Sequence, residues 1–207
     1  MESIPIWRMK TSPNHFESLN RELTVDVAVI GGGITGITTA QLLKEKGFNV
    51  VVLESRKVGE GTTGQSTGNL YGITEYSLKE LKQKYDTSTL QQVVLARLGA
   101  IDLIRNNVGN FNIDCNFHPR PMYLFEKENS IDIDEEISIA KEIGLPVHHI
   151  DEQFPFSFDK GMVLPNQAQI NPLTYTQHLA KEIHGENCQN FENSMVSEIE
   201  DKDDFVL

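Results

Sequence analysis

The apolar residues between positions 24 and 54 predict two buried strands with a helix between them. Residues 24–30 form a nearly continuous β-branched and apolar run, which is typical of a strand buried on both faces. Residues 34–47 carry apolar side chains at helical spacing, followed by lysines and Gly47, as at the end of a helix. Residues 49–54 form a second apolar run. The pattern therefore predicts a β–α–β unit.

Beyond this unit, the pattern predicts a loop followed by further helices and short strands. Residues 55–76 are rich in glycine, serine and threonine, which predicts the loop. Helices are predicted at 77–85, from Ser88 (with Gln91 at capping-box spacing) to about Gly109, at 130–144, and from Pro172 to Gly185 after an Asn171 N-cap. Strands are predicted at 111–117, 121–127, 145–150, 161–165, 187–192, 194–200 and 205–207, with a turn at 201–204.

A glycine-rich turn joins the first strand to the first helix. Gly31, Gly33 and Gly36 stand at the spacing G-x-G-x-x-G. In that motif the first glycine permits a tight turn, the second lets a pyrophosphate approach the backbone, and the third lets the helix pack closely on the strand. Glu54 ends the second strand, where a carboxylate accepts hydrogen bonds from an adenosine ribose and repels a 2′-phosphate. The sequence therefore predicts a dinucleotide site.

The segment after Glu54 bears on which dinucleotide is bound. Residues 55–72 form a polar loop of small and hydroxyl-bearing residues, longer than ordinary connections between elements. Such a loop can lie along a second phosphate and reach a ring system, which favours FAD. A mobile surface loop, and with it an NAD-dependent dehydrogenase, remains the alternative.

Several segments resemble a known family. The residues 31–36, 54–55, 62–63 and 68–70 are similar to the FAD-binding half of the D-amino-acid oxidase and glycine oxidase superfamily. The segments "GTTGQSTGNL", "LPNQAQINPLTY" and "FENSMVSEIED" resemble more closely the bacterial FAD-dependent oxidoreductases that carry a C-terminal Rieske iron–sulfur domain. The resemblance extends from about Trp7 to Leu207. Asn171 stands where these relatives often have histidine, so a chemical role for that histidine does not carry over.

The resemblance implies a set of FAD contacts. Ile34 and Thr35 would present backbone to the pyrophosphate, and Val196 would present backbone to the adenine. Glu54 and Ser55 would hold the adenosine, and the five positions between Ser55 and Val196 would run beneath the rest of FAD and its ring. The complete set is Gly31, Gly33, Ile34, Thr35, Gly36, Glu54, Ser55, Thr62, Thr63, Gly68, Asn69, Leu70 and Val196. No catalytic residue is assigned, since the histidines are scattered along the chain.

The resemblance also implies the fold class and the activity. We expect an α/β protein with a Rossmann-like FAD-binding domain at 20–110 and 164–207, an N-terminal arm at 1–19, and the start of an inserted α+β substrate domain at 111–163. The implied reaction is hydride transfer from a small amine or amino-acid-like substrate to the flavin. Such domains continue in a C-terminal half, so we expect an apparently truncated enzyme. Its possible partners are that half or a Rieske domain, and a catalytically silent flavin-binding remnant is the alternative.

Charge and cysteine content narrow the function further. A net charge of -12 over 207 residues argues against nucleic-acid binding, since no basic surface could neutralise phosphates. The two cysteines fit neither a metal-ligand spacing nor a disulfide framework, so no metal site is predicted. The first residues lack the apolar core of a signal peptide, and no window reaches the roughly 18 apolar residues of a membrane span. We therefore expect a cytoplasmic protein with a small-molecule substrate.

Overall fold

The computed structural model describes residues 4–9, 11, 14–73, 77–128, 131–202 and 205–206. They pack as two compact units, each with its own sheet. The first unit comprises the chain up to Gly68, residues 107–115 and the chain from Asn171; the second comprises 69–106 and 116–170. These are units of packing, and the predicted boundaries of an FAD-binding and a substrate domain stay a prediction.

The helices and strands have the following bounds. The helices are α1 (Ile34–Glu45), α2 (Leu78–Lys84), α3 (Thr87–Asn110), α4 (Ile133–Glu142) and α5 (Pro172–Ile183). The strands are β1 (Val27–Ile30), β2 (Val50–Leu53), β3 (Asn69–Leu70), β4 (His118–Glu126), β5 (His148–His149), β6 (Lys160–Gln169), β7 (Cys188–Phe191), β8 (Asp201–Lys202) and β9 (Phe205–Val206). Short 3-10 turns occur at Ile6–Met9 and Thr63–Gln65.

The first unit contains the predicted β–α–β arrangement within a parallel sheet. The strand order is β1–β2–β7, with Val50 of β2 paired both to Val27 and to Cys188. The central strand β2 is buried, as predicted. The prediction that β1 is buried on both faces is wrong, because its residues alternate between half-buried and exposed and Ile30 is 55% exposed. β1 lies at the edge of this sheet, with β2 as its partner among the described strands.

Helix α5 begins as its sequence predicts. The Asn171 side chain accepts a hydrogen bond from the Thr174 N–H (3.1 Å), and Pro172 occupies the first turn. Further along α5, the Tyr175 hydroxyl accepts a hydrogen bond from the buried Asn107 amide (2.9 Å). Burial raises the pKa of the Tyr175 hydroxyl. A buried polar network of this kind fixes the helix at one position in the first unit.

The second unit is built on an antiparallel sheet. The strand order is β3–β6–β4, and β5 pairs with β6 as well. Its core consists of apolar residues from α2, α3, α4 and β6, among them Leu78, Leu90, Ile137 and Met162. Among the described residues of the whole chain, no helix combines the length and the apolar composition that crossing a membrane requires.

A buried carboxylate closes the N terminus of α2. Glu136 of α4 is 2% exposed, and it accepts hydrogen bonds from the N–H groups of Leu78 (2.7 Å) and Lys79 (3.0 Å). Ser77 and Glu80 form a capping box at the same end. Since the first N–H groups of a helix have no partner within the helix, these contacts satisfy donors that would otherwise be buried without an acceptor.

Glu136→Ala should therefore destabilise the chain. The buried N–H of Leu78 and the partly buried N–H of Lys79 lose a charged acceptor, at an expected cost of about 2–4 kcal/mol in the free energy of unfolding. Urea unfolding measures this cost. Glu135→Ala is the matched control, because Glu135 forms a surface ion pair with Lys79 and such pairs contribute little. Equal unfolding midpoints for the two variants would contradict the capping role.

Two of the predicted strands do not form. Residues 111–117 contain no strand, because Asn112 and Asn116 adopt positive φ angles (49° and 53°) that turn the backbone. Residues 194–200 are also irregular, and the pairing of β8 with β9 follows them. In the predicted 201–204 turn and 205–207 strand, positions 203, 204 and 207 lie outside the described residues.

Helix α3 also begins differently from the prediction. It starts at Thr87, and the Asp86 carboxylate accepts a hydrogen bond from the Thr89 N–H (2.9 Å). The predicted capping box at Ser88 and Gln91 is therefore wrong: the true cap stands two residues earlier. An aspartate and a serine are both good N-caps, and the pattern alone did not discriminate between them.

Candidate cofactor-binding site

The glycine turn lies between β1 and α1. Gly31 has a φ of 103°, a left-handed conformation that favours glycine, and its N–H donates to the Leu53 carbonyl of β2 (2.9 Å). Gly36 lies in the first turn of α1, directly against this bend, and a Cβ atom there would overlap the carbonyl oxygen of Gly31. Both glycines are thus required by the backbone of the turn itself.

Gly33 has a different environment. It is the N-cap of α1, with ordinary extended angles (φ -77°, ψ 177°). A Cβ atom there would meet Thr63 Oγ1 at 3.2 Å, and no other neighbour is that close. A small side chain at Gly33 would therefore need only a slight shift of the Thr63 hydroxyl, and no backbone stands in its way. The missing side chain instead leaves the backbone open to a ligand approaching the end of the helix.

Thr63 fastens the loop after β2 to the start of α1. Its hydroxyl oxygen accepts a hydrogen bond from the Ile34 N–H (3.0 Å). Thr35 follows Ile34 and is exposed. The N–H groups of a first helical turn carry a partial positive charge and favour an anion. The structure therefore places the Thr63 hydroxyl at the glycine turn.

Glu54 lies beside the same turn. Its Oε2 accepts a hydrogen bond from the Gly32 N–H (2.8 Å), and its Oε1 accepts from the Arg56 N–H (2.8 Å) and more weakly from the Ser55 hydroxyl (3.3 Å). The carboxylate is half-buried. Its position at the end of β2 is the one from which an acid can accept hydrogen bonds from a ribose diol.

Glu54→Ala should weaken the binding of FAD far more than that of FMN. The carboxylate would contact the adenosine ribose, which FMN lacks, and a charge-assisted hydrogen bond contributes about 1.5–3 kcal/mol, or roughly ten- to a hundredfold in affinity. Titration of both flavins with each variant measures the effect. Glu54→Gln is the control, since its amide oxygen can still accept the Gly32 N–H. Equal losses for both flavins in Glu54→Ala would contradict a ribose contact.

The other predicted positions are distributed over both units. The Thr62 carbonyl accepts from the Gln65 N–H (3.1 Å), which closes the 3-10 turn next to Thr63. Gly68 has a φ of 75° and is the last residue of the first of three stretches that make up the first unit. Asn69 and Leu70 belong to the second unit, where they form β3 and pair with β6. The structure thus gathers the positions up to Gly68 within one unit.

Val196 belongs to the first unit, on the irregular segment after β7. It is half-buried. Two residues earlier, the Ser194 N–H donates to the Glu54 carbonyl (2.9 Å), and the Asn193 N–H donates to the Arg56 carbonyl (3.0 Å). This segment therefore runs alongside the end of β2, the side of the site expected to hold the adenosine.

Sequence reasoning missed the part of Glu192 in this site. Its carboxylate is buried and contacts Lys57 and Val58, in the loop beside the glycine turn. The segment "FENS" had been noted for its resemblance to the family, and the glutamate within it carried no assigned role. A glutamate at the end of the predicted strand 187–192, as Glu54 stands at the end of its strand, was the signal. Within the described ranges, no three His, Cys, Asp or Glu side chains are grouped as ligands of a metal ion.

A comparison with protein families identifies the chain. Residues 26–207 match the family described as FAD dependent oxidoreductase, or DAO. The chain belongs to this family of FAD-dependent oxidoreductases. The predicted resemblance and the predicted cofactor, FAD, are thereby confirmed at the level of the family, and the NAD-dependent alternative is disfavoured.

Individual relatives of this DAO family member agree. The chain is 31% identical over 196 residues to the Bacillus subtilis protein YhfW, named as a Rieske 2Fe-2S iron–sulfur protein, and the match covers 93% of the chain and 38% of YhfW. It is 31% identical over 121 residues to the gamma-glutamylputrescine oxidoreductase of Escherichia coli, covering 58% of the chain and 28% of that enzyme. The chain thus spans less than half the length of these relatives.

A solved structure supports the fold class. The L-amino acid deaminase of Proteus myxofaciens, in complex with anthranilate, superimposes with a TM-score of 0.72 at 20% identity. The superposition covers 95% of this chain and 44% of the deaminase. The mixed α/β fold class predicted from the sequence is therefore confirmed.

Proposed function

We propose that this chain is the FAD-binding portion of an oxidoreductase that acts on an amine or amino acid. The observation that carries the proposal is the contact between Glu54 and the Gly32 N–H, at a glycine turn that opens a helix. In one place it combines an anion-binding helix end with a carboxylate suited to a ribose. A chain of an FAD-dependent enzyme family needs both features, the helix end for the pyrophosphate and the carboxylate for the adenosine ribose.

The residues around the turn fit FAD. Gly33 leaves the backbone open beside the N terminus of α1, where the backbone of Ile34 and Thr35 would face the pyrophosphate. The Ile34 N–H donates to Thr63 Oγ1 here, so an approaching phosphate would have to share or replace that acceptor. Glu54 and Ser55 would hold the ribose, and the segment that includes Val196 would border the adenine. The 3-10 turn at Thr62 and Thr63, together with Gly68 of the same unit, would continue beneath the remaining cofactor. When bound, FAD supplies the redox chemistry of the reaction.

The substrate class is part of the proposal. The relatives are named for gamma-glutamylputrescine and for an L-amino acid, and both are compounds with a carbon–nitrogen bond next to a transferable hydride. Hydride transfer from such a substrate to the flavin is the reaction we propose for the whole enzyme. We assign no catalytic residue to this chain.

The partners and the compartment are proposed as well. A small-molecule substrate, a C-terminal half and a Rieske domain are the proposed partners, because YhfW is named for a Rieske centre and the chain spans 38% of it. We also propose a cytoplasmic location. Cys115 and Cys188 are both buried and are not joined by a disulfide, which is in keeping with a reducing compartment.

The test is flavin content and turnover. The purified chain is expected to be yellow, with the absorption bands of flavin, and to release FAD rather than FMN on denaturation. NAD titrated in parallel is the control for the alternative cofactor. A colourless chain that binds neither FAD nor FMN would overturn the proposal.

A second measurement separates an active chain from a silent flavin-binding remnant. Oxidase and dye-reductase activity on amines and amino acids is assayed with the chain alone and after addition of the C-terminal half of an intact relative. We expect turnover only with the added half, with a higher flavin occupancy and melting temperature by mass action. Robust turnover by the chain alone would mean that a complete substrate site lies within these residues.

A further inference from the structure

A buried carboxylate lies one loop away from the glycine turn. Glu192 directly follows β7 and is 1% exposed. Its Oε2 accepts hydrogen bonds from Lys57 Nζ (2.7 Å) and the Phe16 N–H (3.3 Å), and its Oε1 accepts from the Val58 N–H (2.9 Å). One side chain thus joins the end of β7 to the N-terminal arm and to the loop after β2.

That loop in turn contacts the glycine turn directly. The Gly59 N–H donates to the Gly32 carbonyl (2.9 Å). The Val58 side chain lies against Gly32, so close that a Cβ atom at Gly32 would be 3.2 Å from Val58 Cγ2. Gly32 is therefore held at its N–H by Glu54 and at its carbonyl by Gly59, with the Val58 side chain packed against it.

The ion pair between Glu192 and Lys57 does more than stabilise the fold. Removing two charges from water costs about as much as their attraction returns, so an apolar pair of similar size would often stabilise a fold equally well. What an apolar pair could not do is accept the Val58 N–H. Glu192 has the carboxylate oxygen that fixes this N–H, and Lys57 neutralises the charge that comes with it.

We propose that Glu192 is a positioning residue for the pyrophosphate-binding turn, acting through Val58 and Gly59 on Gly32. The proposal rests on the FAD site proposed above. Glu192 has no predicted contact with the cofactor. Its effect is to hold the loop that keeps the turn in the conformation that exposes the helix N terminus.

The test uses the whole chain and three variants. Glu192→Ala removes every acceptor, whereas Glu192→Gln keeps an oxygen for the Val58 N–H. Ile183→Ala is the control, because Ile183 is a buried residue of α5 in the same unit and its truncation destabilises without touching the loop. If Glu192→Ala does not fold, the double variant Glu192→Leu with Lys57→Met replaces it, with no unpaired charge left buried.

Two readouts are measured for each variant. In the absence of flavin, hydrogen–deuterium exchange at 31–36 and 57–60 should be at least about tenfold faster in Glu192→Ala than in the unmodified chain. The Kd for FAD should rise roughly tenfold. Glu192→Gln should restore most of both properties. Ile183→Ala should lower the melting temperature without faster exchange at those two segments beyond the change seen in the rest of the unit.

The outcomes separate this inference from the proposed function. Unchanged exchange at the turn in Glu192→Ala, or the same change in Ile183→Ala, overturns the positioning role. If the unmodified chain binds no FAD, the proposed function fails, and the exchange measured without flavin still decides whether Glu192 orders the turn. Glu192→Gln behaving like Glu192→Ala would also overturn the role assigned to the Val58 hydrogen bond.

Discussion

Gly33→Val should yield a folded chain that retains no FAD. The backbone of Gly33 is in an extended conformation that a β-branched residue adopts readily, and the nearest neighbour of a new Cβ atom is the Thr63 hydroxyl at 3.2 Å. The valine methyl groups would instead project into the space through which a pyrophosphate approaches the N terminus of α1. The loss should therefore fall on the cofactor rather than on the fold.

The measurement is the flavin-to-protein ratio after purification, together with the melting temperature of the flavin-free chain. Gly33→Ala provides a graded comparison, since it adds one methyl group and should reduce FAD retention less than valine does. A normal flavin ratio in Gly33→Val would contradict the placement of FAD at this turn. If the melting temperature of Gly33→Val fell as far as that of the core variant Ile183→Ala, the loss of flavin would be a result of unfolding alone.

The parts of the fold that could be predicted are those that depend on interactions between residues close together in the sequence. The β–α–β unit follows from apolar spacing over a short stretch, and its glycine turn falls between β1 and α1 as predicted. The start of α5 follows from an asparagine followed by a proline, and Asn171 does cap that helix. In each case the deciding interaction joins residues a few positions apart, so both partners are visible in a short stretch of sequence.

The predictions that were wrong depend on backbone conformations or strand neighbours that a short stretch of sequence does not reveal. Residues 111–117 have a strand-like composition, and the left-handed conformation of Asn112 and Asn116 is what prevents a strand. β1 has the composition of a central strand, yet among the described strands it pairs with β2 alone, and alternate residues on one of its faces are exposed. The whole fold determines which strands pair with each other, and local strand propensity does not.

The residues of the candidate site also fall into two groups, those that a local motif indicates and those whose contacts join distant parts of the chain. The glycines and Glu54 were found because their spacing is fixed by the motif. The hydrogen bond between Thr63 and Ile34 joins residues 29 positions apart, and the one between Glu192 and Val58 joins residues 134 positions apart. The resemblance pointed to Thr63, but nothing in the sequence indicated what Glu192 contacts.

Gly36→Ala should prevent the first unit from folding properly. A Cβ atom at this position would overlap the carbonyl oxygen of Gly31, and it would also press on Val29 of β1 at 3.3 Å. The Gly31 carbonyl is backbone of the turn, so it cannot move aside as a flexible side chain can. The expected loss is about 3 kcal/mol or more in the free energy of unfolding, a large share of the roughly 5–15 kcal/mol that a domain possesses.

Unfolding of the flavin-free chain by urea measures this loss without reference to cofactor binding. Gly109→Ala is the matched control, since Gly109 lies in α3 within the first unit and has open space around the new methyl group. That change should be neutral or stabilise the helix by up to about 1 kcal/mol. Gly33→Val and Gly36→Ala are then expected to differ in kind, the first losing FAD from a folded chain and the second losing the fold. If Gly36→Ala unfolded at the same urea concentration as the unmodified chain, the close packing of α1 on the turn would not be what requires glycine at this position.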